Sequence, residues 1–213
     1  MMPDRGDILK LLEGVRDEGE ARPDEVSQFV GSEARVATYA LVQGHNAIAR
    51  DDLLGGLQSL RLSSETGIRL RWLVGDDEDE FGPDGRLLVD AGTAQSRYRS
   101  MRRRDLLQLA AAYHSISEVN PSEERRELEG QLRAIAALIA EVPAPWDARR
   151  LATSANARRI YAAHRMCSAL IHPGAALGRH DREPIPRRRL EEMTSETAYV
   201  AWAVGDGILR SLA

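Results

Sequence analysis

Apolar residues recur along this chain at steps of three and four over most of its length, and that spacing predicts helices rather than strands. Pro23 and Asp24 open the first long helix, whose apolar positions Val26, Val30, Ala37, Leu41 and Ile48 share one face. A short helix around Ile8 to Val15 precedes it. Asp51 or Asp52 offers an N-cap for the next, which runs through Leu53, Leu57, Leu60 and Ile68 to Val74. Tyr98, Met101, Leu106, Leu109, Ala110, Tyr113 and Ile116 mark another. Asn120, Pro121 and Glu123 resemble a capping box with proline at the first helical position, ahead of Leu128, Leu132, Ile135, Ile139 and Val142.

Pro143 and Pro145 end that helix. Thr153 or Ser154 then caps a helix over 154–172, which Pro173 halts by disfavouring the α conformation at His172. The last helix opens near Pro186 and carries Leu190, Met193, Thr197, Val200, Val204 and Ile208. The pattern lapses only over 75–95, where GDDEDEFGPDG has too little apolar content to pack and predicts an acidic flexible loop. The expected fold is therefore all-α, an up-down antiparallel bundle of five to six helices forming a single domain over 1–213.

Composition sharpens this picture. Aromatic residues make up only 5% of the chain against 43% hydrophobic content, so the apolar residues are mostly helix formers. The lone cysteine, Cys167, has no second thiol for a disulfide or a zinc knuckle, which suits a reducing cytoplasm. No stretch approaches a membrane span and the N-terminus has no unbroken apolar core, so the expectation is a cytoplasmic protein without membrane attachment. Residues 1–95 hold 19 acids and 10 bases, whereas residues 96–213 hold 14 acids and 19 bases, so the C-terminal half is the basic one. Such a bias bears on solubility and association rather than on a specific activity.

One stretch looks like a site. At about 100° per residue, Tyr161, Arg165, Ser168 and His172 fall near 0°, 40°, 340° and 20°, a polar stripe on the 154–172 helix. Ala163, Met166 and Leu170 point the opposite way, toward the expected core, with Ile160, Cys167 and Ile171 flanking. Arg165 can hold a phosphate bidentately and His172 can exchange protons near neutral pH, helped by its place at a helix C-terminus. Glu65, four residues after Arg61, is an ion-pair partner either for Arg61 or for the stripe. His45, His114, His164 and His180 show no ligand spacing and read as surface or satisfied core residues; no metal cluster, Gly-rich phosphate loop or dinucleotide fingerprint is apparent, so no cofactor is expected.

Arginine followed by six residues and histidine, in RMCSALIH at the end of a long helix, resembles the signature of the HEPN superfamily, the higher eukaryotes and prokaryotes nucleotide-binding domains. The fuller YAAHRMCSALIHPG is similar to a bacterial branch of unknown function with recurring Tyr, Ser and His-Pro, and SLRLSSETGIRLRWLV, with Arg61, Glu65 and Trp72, resembles its earlier helix. The resemblance implies a homodimeric helical bundle whose motifs face one another and, in active members, cleave RNA without metal. Arg165 would neutralise the scissile phosphate and His172 would assist attack by the ribose 2′-hydroxyl. Active nucleases of the family commonly carry a polar residue where this chain has Met166.

Two functions follow as expectations. One is RNA or nucleotide binding, or RNA cleavage, in bacterial stress or phage defence, which needs Arg165 and His172 exposed. The other is a non-catalytic dimerisation or partner-docking module in which the stripe is structural and Arg165 is buried against an acid such as Glu65.

Overall fold

The computed structural model describes residues 3–74, 90–139, 155–171 and 185–213. Among these the chain forms seven helices and no strand: α1 (Arg5–Ala21), α2 (Glu25–Ala49), α3 (Leu53–Val74), α4 (Ala91–Val119), α5 (Glu123–Leu138), α6 (Ala155–Ile171) and α7 (Arg187–Ser211). The class is all-α, as the spacing predicts. The count exceeds the expected five to six, and the short helix foreseen around Ile8 to Val15 is longer than that, α1, capped by Asp4 through the Asp7 amide. The acidic residues 76–80, the caps expected at Thr153 or Ser154, and His172 lie outside the described residues. Of the 75–95 range, the part from Ala91 onward is helical, because α4 begins there.

Caps explain most of the boundaries. The Asp24 carboxylate accepts from the Ser27 amide at 2.8 Å and starts α2. Two neighbouring aspartates then divide the work of the next turn. Asp51 takes a left-handed conformation (φ 66°), tolerable for a short polar side chain, just after α2 ends, and Asp52 accepts from the Gly55 amide at 2.9 Å to start α3. The capping box expected at Asn120 does not form. Asn120 belongs to the end of α4, its amide bonded to Ile116 O, and α5 opens two residues later than the sequence suggests, after Ser122. Proline at 121 is compatible with both readings, which is why the pattern misleads.

Residues fall into two compact units, one of residues 1–91 with 148–213 and one of 92–147. In the first, α2 packs against α1, α3 and α7, and α3 packs against α2, α6 and α7. The core is built from Ile8, Leu12 and Val15 of α1, Val30 and Leu41 of α2, Leu60 and Leu70 of α3, and Leu190 and Ile208 of α7, all essentially inaccessible. The predicted face of α2 is the buried one: Val26, Val30, Ala37, Leu41 and Ile48 all lie inside.

Close approach between these helices depends on missing side chains. A Cβ on Gly19 of α1 would sit 2.6 Å from Ser27 O and 2.7 Å from Gly31 N, so the α1 and α2 backbones touch directly there. A Cβ on Gly44 of α2 would meet side chains instead, Thr194 Cγ2 at 3.0 Å and Ser59 Cβ at 3.2 Å. The Arg22 guanidinium, donating to Leu209 O at 2.6 Å, fastens the end of α1 to α7.

The contacts around Gly19 are with backbone, which cannot swing aside. Gly19→Ala is therefore expected to destabilise the protein by roughly 1 to 3 kcal/mol through overpacking. Gly14, on the exposed side of the same helix with nothing within 4 Å, is the control. Gly14→Ala should raise the melting temperature slightly, by removing backbone freedom worth ~0.5–1 kcal/mol. Thermal unfolding of the two variants checks both signs.

Candidate functional site

The helix α6 lies along α3. A Cβ on Gly67 would sit 3.3 Å from Ile160 Cγ2, and Ala163 and Cys167 join Ile48, Leu57, Leu60 and Leu190 in one apolar cluster. The buried residues of α6 are thus Ile160, Ala163 and Cys167, while Met166, Leu170 and Ile171 are only partly buried against that cluster. Relative to the face expected from sequence, the inward direction is turned by about 60° toward Cys167. The glycine on α3 makes room for the bulk of Ile160, and the small Ala163 and Cys167 pack beside Leu57 and Leu60.

This rotation decides where the polar stripe lies. Arg165 is exposed, and Tyr161 and Ser168 are half-buried beside it. His172 follows the last described residue of α6 and lies outside the described residues. On α3, the helix against which α6 packs, Arg61 is half-buried and Glu65 is exposed. The structure thus brings Tyr161, Arg165 and Ser168 onto one accessible side of α6, with Arg61 and Glu65 on the helix against which α6 packs.

The same rotation brings His164 against α3. Burial holds its pKa below the ordinary histidine value; the Arg61 and Arg165 guanidiniums lower it further, while the Glu65 carboxylate and the Arg61 backbone oppose them. Its Nδ1 is buried and has no hydrogen-bond partner. His164 is therefore a neutral imidazole at neutral pH, placed among two arginines and a glutamate, and the surface-or-satisfied reading of it does not describe this nitrogen. His45 and His114 are satisfied: His45 Nε2 lies 3.2 Å from Ser195 Oγ, and His114 Nδ1 lies 3.2 Å from Glu129 Oε2. Cys167 is fully buried and its thiol is pushed up to about 12 by that burial, so it is inert as a nucleophile.

Sequence reading missed the most perturbed acid. Glu33 sits on the buried face of α2 at 8% exposure, with Arg69 Nε 2.9 Å from its Oε1 and Thr66 hydrogen-bonded to it. Desolvation wins over these favourable partners and raises its pKa from 4.5 to about 7. The Arg69 guanidinium also stacks on Phe29, 5.4 Å from the ring centre. A signal was present: at about 100° per residue, Glu33 falls roughly 20° outside the edge of the arc marked by Val26, Val30, Ala37 and Leu41. Among the described residues no group of three or more His, Cys, Asp or Glu side chains could hold a metal ion, and no helix is long and apolar enough to cross a membrane.

Searches with models of protein families, among curated proteins and among solved structures returned no match for this chain.

The raised pKa of Glu33 has a definite linkage sign. Between the unfolded value of 4.5 and the folded value of about 7, the folded state binds the extra proton, so stability is full at the acid end of this window and falls as pH rises through it. The loss amounts to roughly 3 kcal/mol by the usual conversion of pKa shift to free energy. Melting curves across this range should slope downward with pH in the wild type and flatten in Glu33→Gln. Equal slopes in the two proteins would contradict this assignment.

Proposed function

We propose that this is a HEPN-like protein that binds RNA along the accessible side of α6 and cleaves it without a metal. Arg165 contacts a phosphate and His172 moves the proton of the attacking 2′-hydroxyl, in the roles that the resemblance implies. In this reading the protein works as a homodimer, in bacterial stress or phage defence. The observation that carries it is the exposure of Arg165. A structural stripe would need that guanidinium buried against a carboxylate such as Glu65, and Glu65 is itself exposed. An exposed arginine flanked by a half-buried phenol and hydroxyl offers instead a bidentate donor with two further hydrogen-bonding groups beside it, which suits a phosphate.

The chemistry balances with groups of the chain alone. A neutral imidazole at position 172 accepts the 2′-hydroxyl proton as the oxygen attacks phosphorus, the bond from phosphorus to the 5′-oxygen breaks, and the imidazolium so formed returns the proton to that departing oxygen, giving a 2′,3′-cyclic phosphate and a 5′-hydroxyl. Arg165 offsets the charge that builds on the phosphoryl oxygens during attack.

Incubation of the purified protein with a mixed RNA pool in EDTA tests the proposal. His172→Ala should abolish cleavage and change stability by less than ~0.5 kcal/mol, as for an exposed residue. Arg165→Lys keeps the charge but loses the fork, so cleavage should fall sharply with the fold intact. An inert wild type, joined to a loss of roughly 1 to 3 kcal/mol in His172→Ala from an unsatisfied buried partner, would overturn it and leave the partner-docking module standing.

A further inference from the structure

The helices α3 and α6 run antiparallel. Ile160 meets Gly67 near one end of their contact, and His164, one turn later on α6, hydrogen-bonds to the backbone of Arg61, which stands earlier on α3. Beside these contacts Ala163 and Cys167 join Leu57 and Leu60 in the apolar cluster that closes the seam. One margin of that seam is polar.

Ile160, Ala163 and Cys167 define the inward direction of α6. At about 100° per residue, His164, Ser168 and Tyr161 lie roughly 70°, 110° and 130° from it. On α3, where Leu57, Leu60 and Gly67 point toward α6, Arg61 and Glu65 lie roughly 90° and 130° from that direction in the same rotational sense. Because the helices are antiparallel, an equal sense of rotation on both leads to the same face, so the two sets border one side of the seam. Arg165 stands at its outer edge, and its guanidinium and that of Arg61 both act electrostatically on the His164 ring.

Arg61 is the unusual member of this group. It is half-buried beside a neutral imidazole, and Glu65 lies one turn along its own helix. Among the described residues, however, neither Arg61 nor Arg165 forms an ion pair with Glu65 or with any other carboxylate, whereas Arg22, Arg69, Arg133 and Arg210 each have one. A half-buried cation has lost part of its hydration and gains most from an anion that reaches it. Two guanidiniums without counter-ions, one on each helix, make this margin positive, and Tyr161 and Ser168 add hydroxyl donors to it.

We infer that Arg61 is a second phosphate-binding arginine, which holds the backbone phosphate next to the one on Arg165, so that the ligand of this seam is an RNA strand carrying at least two consecutive phosphates. The inference rests on the RNA reading of α6 and extends the binding surface onto α3. Packed helix axes run ~8–10 Å apart, which is the order of one nucleotide step along an extended strand. Forks on the two helices therefore suit successive phosphates, each held bidentately. Glu65, exposed on the same margin, repels the strand and limits its affinity.

Binding of a 2′-O-methyl RNA oligonucleotide, in which the attacking hydroxyl is blocked, tests this on the full chain. Arg61→Gln should weaken binding about tenfold at about 0.1 M salt and lower the slope of log affinity against log salt by ~0.7, the value for one phosphate contact on a single strand, with the melting temperature unchanged. Arg61→Lys should keep that slope, because the charge remains, and lose part of the affinity with the fork. Glu65→Gln, at an exposed position that does not endanger the fold, should tighten binding about threefold. In cleavage, the wild type should prefer a longer RNA to a dinucleoside monophosphate by about tenfold in KM, and Arg61→Gln should lose that preference. A wild type that binds and cleaves RNA, with affinity and salt slope unchanged in Arg61→Gln and Glu65→Gln, would overturn this inference and leave the RNA reading standing. So would a fall in melting temperature in Arg61→Gln joined to an inert Glu65→Gln, since Arg61 would then be structural. A wild type that neither binds nor cleaves RNA would overturn the RNA reading, and this inference with it.

Discussion

Everything in the first unit depends on how closely α2 can approach its neighbours. Gly19 and Gly31 let the α1 and α2 backbones touch, and Gly44 lets α2 settle against Ser59 of α3 and Thr194 of α7. Where backbones meet, a methyl group has no room, and packed interiors transmit such a displacement instead of absorbing it. Three hydroxyls in these seams are satisfied locally: Thr194 donates to Leu190 O, Ser64 to Leu60 O, and Thr197 to Ser63 Oγ across the α7 and α3 boundary, whereas the buried Ser27 Oγ at the α1 and α2 contact has no partner among the described residues. Helices held this close by small residues leave little freedom in rotation or register.

That constraint reaches the candidate site through α3. Its inward side is used by α2 and α7, so α6 must pack on what remains, and it does so where Gly67 accepts Ile160. Ala163 and Cys167 continue the same close contact toward Leu60. Once those residues face inward, the helical period places Arg165 on the outside and His164 against Arg61 and Glu65. Glu33 belongs to the same economy of space. Its carboxyl is enclosed between α2 and α3, and Arg69 with Thr66 reduces but does not cancel the desolvation.

Much of the fold was legible because local rules and tertiary packing agree. The buried positions of α2 follow from period alone, and Asp24 and Asp52 cap where the sequence allows. Legibility failed where packing chooses between locally equal options. Met166 and Leu170 read as the inward face of α6 together with Ala163, but packing on α3 buries Ile160, Ala163 and Cys167. Asn120 could start α5 or end α4, and the backbone bond to Ile116 O decides for the latter. At the site, the shared stripe of Tyr161, Arg165 and Ser168 was readable, whereas the unpartnered Nδ1 of His164 depends on a neighbouring helix that no local pattern specifies. Exposure of Leu109 and Ile116 was equally hidden, since their spacing is that of core residues.

The proposed RNA-binding role rests on α6, and the arginines of α4 from Arg97 to Arg104 are a second cationic stretch. Photocrosslinking with 4-thiouridine-substituted RNA, followed by peptide mapping, separates them most directly. Adducts should concentrate on α6, at Tyr161 and its neighbours, and should disappear when Arg165 is replaced. Adducts confined to α4, unaffected by that replacement, would contradict the assignment of α6 as the RNA-binding surface.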